Sequence, residues 1–268
     1  MEKKLYILGT GTANVSKYVN TSCVLDDGKE LFLTDGTGGT DILHCFDRMH
    51  LDWHKLHHAF LSHEHTDHFL GMIWVVRMIA EYLELDDYEG DFFLYGHSEV
   101  LDKIKAVCRM ILKKRSQEYL DRRIFFIPVF DHEERKILNY TFTFFDIEST
   151  KARQFGYHLQ WEDGTRLVFA GDEPLSSNGE KYCDQVDWLL QESFCLYDEE
   201  PLYHAYQYSH QTVKEAAEIA ERNQVKNLLL WHTEDGTYGK RRELYTKEAG
   251  QYYHGNIWVP DDGDLIEL

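Results

Sequence analysis

The chain has 268 residues, and 47 aspartates and glutamates against 28 lysines and arginines give it a net charge of −19. Nucleic acids and anionic membranes are polyanions, so this charge argues against a broad surface that binds either of them. A hydrophobic content of 43% is too high for a disordered chain, and the sequence has no apolar run approaching the length of a membrane span. The apolar stretch over 5–8 is too short for the core of a secretion signal, so we expect a globular protein of the cytoplasm.

The predicted elements form two groups of strands with helices between and after them. Short apolar segments that end in glycine- or aspartate-containing turns predict strands over 4–8, 22–25, 31–34 and 58–62. A helical apolar period follows over 69–83, and then come a strand over 92–95, a helix over 98–120 and strands over 124–129, 140–147, 155–161 and 166–170. The last third predicts a helix over 210–223, a strand over 225–231, a helix near 240–252 and a strand near 256–259. This pattern favours one domain over 1–268 with an α/β fold, in which two packed sheets and outer helices form a four-layer αββα sandwich.

A cluster of metal-ligand residue types follows the predicted strand at 58–62, where the chain reads His63-Glu64-His65-Thr66-Asp67-His68. In an extended loop the first two histidines point the same way, while the aspartate and the third histidine open the helix that follows. Imidazole and carboxylate groups are ligands of transition metals, so this spacing predicts a site for two cations. The alternative is a polar, solvated loop, which the buried strand before it and the periodic helix after it disfavour.

Two further ligand candidates stand at the ends of later strands. Asp172 follows the predicted strand at 166–170, and its carboxylate could bridge two cations and offset their charge. His232 follows the predicted strand at 225–231. Either residue alone has a plain structural explanation, as a turn residue or a capped core histidine. Together with the first cluster, both are interpreted as metal ligands.

These motifs resemble the metallo-β-lactamase superfamily, in its branch of tRNase Z-like hydrolases. The resemblance covers most of the chain and is carried by residues 8–13, 20–23, 33–36, 63–68, 155–157, 170–172 and 209–217, by His232 and by residues 259–268. It implies an αββα fold that binds one or two divalent ions, with zinc favoured and manganese or iron as alternatives. By the same resemblance the metal ligands are His63, His65, Asp67, His68, Asp172 and His232.

Three residues are expected to act beside the metals, and the resemblance assigns the roles of two of them, His210 and Glu192. Asp67 would orient the attacking water, and His210 would stabilise the transition state or protonate the leaving group. Glu192 falls where the family has a carboxylate that could orient this histidine. From the residues alone, a surface histidine and a salt-bridged acid at a strand end are the alternatives.

Two departures from the family pattern bear on the function. Thr150 stands where the family has a further metal-ligating histidine, and Glu148 is only a remote substitute. We therefore expect the set Asp67, His68, Asp172 and His232 to hold metal better than the set that contains His63 and His65. In addition, only residues 160–165 separate the two strands between which tRNase Z inserts a basic arm for tRNA, so tRNA is not expected as a substrate.

The sequence thus predicts a metal-dependent hydrolase that uses metal-activated water on a small ester or phosphodiester. The alternative is a protein of the same fold that binds a ligand or partner without catalysis, because the missing histidine weakens the metal site. The helix over 69–83 has an apolar face broad enough for a homodimer contact, and burial in the core is the equally open alternative.

Overall fold

The computed structural model describes residues 3–268, and these form two compact units. Unit 1 comprises the chain up to Ala13, Val19–Val129 and Asp261–Leu268, whereas unit 2 comprises Asn14–Tyr18 and Phe130–Pro260. The expectation of one domain over 1–268 stays a prediction. Within the described residues, none of the helices combines the length and the apolar character needed to cross a membrane.

Unit 1 contains a seven-stranded sheet in which both parallel and antiparallel pairs occur. Its strands are β1 (Lys4–Gly9), β2 (Ser22–Asp26), β3 (Leu31–Thr34), β4 (Leu56–Phe60), β5 (Phe92–Gly96), β6 (Ile124–Pro128) and β14 (Leu265–Glu267). They lie in the order β14-β1-β2-β3-β4-β5-β6. The pairs from β14 to β3 are antiparallel, and those from β3 to β6 are parallel.

The helices of unit 1 are α1 (Asp41–Arg48), α2 (Thr66–Glu84), α3 (Ser98–Ile111) and α4 (Lys114–Gln117). Helix α2 buries Met72 and Val75 in the core, while Trp74 is only partly buried. The helix predicted over 98–120 ends at Ile111 because Leu112 adopts extended backbone and packs into the core. A homodimer contact on α2 stays a prediction.

Two glycines bring the loop after β3 into direct contact with α2. A Cβ atom at Gly71 would lie 1.5 Å from Gly36 O, and one at Gly36 would lie 2.1 Å from the amide nitrogen of Met72. Gly36 N donates to His68 O at 2.8 Å, and Gly71 N donates to Thr37 O at 3.0 Å. Only glycine permits this approach. It sets the first turns of α2 against the end of β3.

Unit 2 also contains a seven-stranded mixed sheet. Its strands are β7 (Glu134–Ile137), β8 (Tyr140–Asp146), β9 (Phe155–Trp161), β10 (Arg166–Phe169), β11 (Trp188–Glu192), β12 (Asn227–Trp231) and β13 (Asn256–Trp258), in the order β13-β12-β11-β10-β9-β8-β7. Strands β10 to β13 are parallel. Their carboxyl ends therefore lie at one edge of the sheet, which is where parallel sheets place their binding residues.

The helices of unit 2 are α5 (Ser177–Glu180), α6 (Glu200–Tyr203), α7 (Val213–Arg222) and α8 (Arg241–Ala249). Helix α7 begins with a capping box, in which Thr212 and Glu215 satisfy each other's backbone amides. Alanines 216, 217 and 220 of this helix are fully buried in one cluster with Leu228 and Leu230 of β12. Small residues on the buried face of α7 allow the helix to pack closely against the sheet.

Candidate metal centre

Unit 1 brings its four predicted ligands together between β4 and the first turn of α2. His63 Nε2 lies 2.9 Å from His65 Nδ1, and the rings of His63 and His68 lie 4.4 Å apart. His68 Nε2 lies 3.2 Å from Asp67 Oδ2. All but the half-buried His65 are buried. Two nitrogens bound to one zinc ion lie about 3 Å apart, so the spacing of these side chains is compatible with ligands of one metal site.

Asp35, at the end of β3, orients two of these histidines. Its Oδ2 atom accepts a hydrogen bond from His68 Nδ1 at 2.8 Å and another from Ser62 Oγ at 2.8 Å. Because the Ser62 hydroxyl donates to Asp35, it accepts from His63 Nδ1, which lies 2.9 Å away. Both imidazoles therefore carry their proton on Nδ1 and present the lone pair of Nε2. This is the tautomer that a metal ligand needs, and carboxylate support of this kind is typical of metal sites.

Unit 2 brings Asp172 and His232 together at the carboxyl ends of β10 and β12. His232 Nε2 lies 3.7 Å from Asp172 Oδ2, and the two residues are 1% and 3% exposed. The buried Gln154 amide donates to Asp172 Oδ1, and its carbonyl accepts from Asp172 N at 3.4 Å. His232 has a φ of 54°, a conformation unusual for a residue other than glycine. The end of β12 is thus held in a specific turn that positions the ring.

His210 and Glu192 form a hydrogen-bonded pair in unit 2. His210 Nδ1 lies 2.8 Å from Glu192 Oε2, and Glu192 Oε1 accepts from Gln211 N at 2.9 Å. Complete burial raises the pKa of Glu192 to about 7. Burial works against protonation of His210, but the Glu192 charge and hydrogen bond raise the pKa of this ring overall. The Glu192 carboxylate thus favours the protonated form of His210, whose ring lies 5.7 Å from the His232 ring.

The comparisons with known proteins decide the family. The family model described as anti-Pycsar protein Apyc1 matches residues 3–249. The chain belongs to this family. It is also 25% identical to the Ribonuclease Z of Thermococcus sibiricus over 311 residues, which covers 99% of this chain and 96% of that protein. Ribonuclease Z of Lactiplantibacillus plantarum is likewise 25% identical, with 99% of this chain and 98% of that protein covered.

Solved structures show the fold of this Apyc1-family chain. The metallo-β-lactamase fold protein YhfI from Bacillus subtilis superimposes with a TM-score of 0.81 at 17% identity, and 100% of each chain is covered. Human tRNase Z, short form, gives 0.75 at 17% identity and covers 98% of both chains. A diphosphatase from the PhnP family gives 0.74 at 17% identity and covers 100% of this chain and 98% of that one. These relatives confirm the predicted metallo-β-lactamase fold and tRNase Z-like branch, and they indicate a metal-dependent hydrolase.

The segment with the missing histidine adds no ligand to this Apyc1-family site. Thr150 and Glu148 are both exposed. Within residues 3–268, neither belongs to a group of side chains that could hold a metal ion. Glu148 N instead donates to Asp146 Oδ1 at 2.8 Å, which closes the turn after β8.

Three supporting residues lie outside the predicted site. Asp35 has the same signal as Asp172, since each is a carboxylate that ends a strand next to a glycine, and this signal could have identified it. Ser62 directly precedes the histidine cluster in the sequence, but a serine at this position does not by itself predict a role in the site. Gln154 carries no signal in the sequence, because only the fold brings it to Asp172.

Proposed function

We propose that the protein is a metal-dependent hydrolase that cleaves a small ester or phosphodiester. The observation that carries this proposal is the pair of Nδ1 contacts, His63 with Ser62 Oγ and His68 with Asp35 Oδ2, which leave the Nε2 atoms for a metal. Each unit supplies ligands for this proposal: His63, His65, Asp67 and His68 lie in unit 1, and Asp172 and His232 lie in unit 2. We propose that they hold one or two divalent ions, with zinc favoured because the donors are imidazole nitrogens and carboxylate oxygens.

The ion would lower the pKa of a water molecule and polarise the bond to be broken. In this proposal Asp67 orients the attacking water, and His210 gives its Nε2 proton to the departing oxygen. Glu192 holds His210 by Nδ1, so that Nε2 faces the substrate, and its charge stabilises the imidazolium form. Proton delivery by a positioned group of this kind contributes about 10²- to 10⁴-fold to a rate.

The substrate is proposed to be small rather than tRNA. Only the four residues 162–165 connect β9 to β10, and the net charge of −19 disfavours a long phosphate backbone. The names of two kinds of relative, Ribonuclease Z and a PhnP-family diphosphatase, denote hydrolysis of phosphate bonds and support a phosphodiester. The family description, anti-Pycsar protein, names the system that the family opposes. It does not say which chemical bond is cleaved.

Protein purified without chelator tests this proposal through two measurements. We expect bound divalent metal and metal-dependent turnover of bis(p-nitrophenyl) phosphate. Exposed Thr150, in place of a ligand, favours the second candidate, a binding protein of this fold without catalysis. Stoichiometric metal without turnover of any small ester or phosphodiester would support that second candidate, and absence of metal would contradict the hydrolase.

A further inference from the structure

Lys151 lies in the loop between β8 and β9 of unit 2 and has an unused donor. Its Nζ atom donates to Tyr208 O at 2.9 Å and lies 3.2 Å from Glu173 Oε1. An ammonium group has three N–H donors, and these two contacts use two of them. The side chain is 27% exposed, so the third N–H can reach a ligand that arrives from solvent.

The loop around Lys151 is already ordered. Ser149 Oγ donates to Glu173 Oε1 at 2.8 Å and accepts from Lys151 N at 3.1 Å. Glu173 is 6% exposed, so its carboxylate is a fixed anchor for both residues. A lysine normally loses much side-chain entropy when it binds a ligand. Here the two contacts hold the ammonium group before any ligand arrives, which favours binding.

Both contacts tie this ammonium group to segments that carry residues of the candidate site. Glu173 directly follows Asp172, and Tyr208 lies two residues before His210. Ser209, between them, has a φ of 55°, which turns the chain sharply from the Tyr208 carbonyl to the His210 ring. Through the Tyr208 carbonyl, the Lys151 ammonium group is therefore held two residues along the chain from the proposed proton donor.

We infer that Lys151 binds the anionic group of the substrate beside His210, and so selects a phosphodiester over an uncharged ester or lactone. This inference rests on the proposed function and names which of its substrate classes fits. A phosphodiester carries a negative charge, which the net charge of −19 repels unless a local cation compensates. Lys151 supplies that cation, and a charge-assisted hydrogen bond to a phosphoryl oxygen would follow.

The test is calorimetric titration of inorganic phosphate into the metal-loaded protein, with Lys151→Met, Lys151→Arg and Lys226→Met as variants. Lys226 is the matched control, because its Nζ atom pairs with Asp187 on the same unit. We expect Lys151→Met to raise the Kd for phosphate about 10- to 100-fold, the range for one hydrogen bond to a charged group. Lys151→Arg should stay within about threefold, and Lys226→Met should match the wild type.

The metal content of each variant and the KM for bis(p-nitrophenyl) phosphate complete the test. If Lys151 acts in substrate binding, Lys151→Met should raise the KM and leave the metal content of the protein unchanged. The inference is overturned if the wild type does not bind phosphate, if Lys151→Met binds it equally well, or if this variant also loses metal. Absence of wild-type turnover would instead contradict the proposed function, and the phosphate titration would still decide the role of Lys151.

Discussion

Asp35 Oδ2 accepts a hydrogen bond from His68 Nδ1 at 2.8 Å, with both side chains about 1% exposed. The same oxygen lies 2.8 Å from Ser62 Oγ, so one buried carboxylate fixes the tautomers of two histidines. Neither histidine can rotate or exchange its Nδ1 proton without breaking a buried hydrogen bond, which costs about 1–3 kcal/mol. Asp35 is thus a positioning residue for the proposed metal ligands.

We expect Asp35→Asn to weaken metal binding about 10- to 100-fold. The carboxylate accepts hydrogen bonds at both oxygens, whereas an amide has one oxygen and cannot accept from Ser62 and His68 in the same arrangement. Asparagine tolerates the positive φ of 58° at this position, so the backbone should not change. Metal titration with a competing chelator gives the affinity. Asp27→Asn is the control, since Asp27 is also buried in unit 1 but its Oδ1 atom accepts only from backbone amides. Equal affinities in Asp35→Asn and wild type would contradict the role.

Removal of His232 should cost more metal than removal of His63. By the family resemblance, His232 belongs to the intact ligand set with Asp67, His68 and Asp172, whereas His63 belongs to the set that lacks the histidine replaced by Thr150. A fuller set of ligands binds an ion more tightly. Elemental analysis of His232→Ala and His63→Ala after dialysis measures the loss. The same loss in both variants would count against the difference between the sets.

Glu192→Gln should move the alkaline limb of the pH–rate profile to lower pH. The Glu192 charge helps to raise the pKa of His210, so a neutral partner lets this ring lose its proton at a lower pH. The maximal rate should fall about 10-fold, because a positioned proton donor is weakened but not removed. Glu221→Gln is the control, since Glu221 Oε1 lies 2.9 Å from His254 Nδ1 in a similar but exposed pair. An unshifted alkaline limb in Glu192→Gln would refute the proton-donor role.

Pre-tRNA should not be cleaved appreciably by the purified protein. A small phosphodiester should be hydrolysed, and Asp67→Ala should abolish this activity because a metal ligand and the orienting group for water are lost together. His210→Ala should reduce the activity less, because it removes only assistance to the leaving group. A Ribonuclease Z that is assayed in parallel on the same pre-tRNA serves as the positive control. Efficient 3′ processing by this protein would overturn the proposal of a small substrate.

His58 should make the folded protein less stable as the pH falls from about 6.5 to 4. Burial lowers the pKa of His58 from 6.5 to about 4, so in this range the unfolded chain binds the proton and the folded chain does not. Stability therefore rises with pH across the window, by about 2–3 kcal/mol in total for this residue. His58→Gln should remove most of that dependence in urea unfolding at pH 7 and pH 4.5.

His54→Gln is the control for this measurement. A hydrogen bond to Asp52 raises the pKa of the exposed His54, so its contribution has the opposite sign. The variant should lose slightly more stability in acid than the wild type. A His58→Gln variant with the same acid dependence as the wild type would show that His58 becomes protonated without cost.

The sequence predicts the ligand-bearing turns well, because each follows a short apolar strand with clear periodicity. The strand before His63 and the strand before His232 are both observed, each within about two residues of its predicted bounds. Strand β11 is absent from the predicted elements, although Glu192 is considered there as an acid at a strand end, because Gln191 and Glu192 are polar and yet fully buried. Only the tertiary structure, in which Glu192 meets His210, explains a buried acid there.

Short or charged elements are the other differences between sequence and structure. Helix α1 has eight residues and strand β14 has three, too few for a period to be recognised. Strand β7 is mostly charged, which is typical of a sheet edge. The support of the site by Asp35 and Gln154 depends on contacts between residues 33 and 18 positions apart, and no local pattern contains these contacts.

The pairing of β1 with β14 has a consequence for synthesis of the protein. Lys4, Leu5 and Tyr6 pair with Glu267, Ile266 and Leu265, so the first strand of unit 1 completes its pairing only after residues 130–260 of unit 2 have left the ribosome. At about 5–20 residues per second, the residues between β6 and β14 take roughly 7 to 27 s to translate. During that interval one edge of β1 is unpaired and could pair with a strand of another nascent chain. Strand β1 begins with a lysine, and a charged residue on an edge strand disfavours such pairing between chains. We expect unit 2, rather than the N-terminal unit, to be the first part of the chain that can fold to completion.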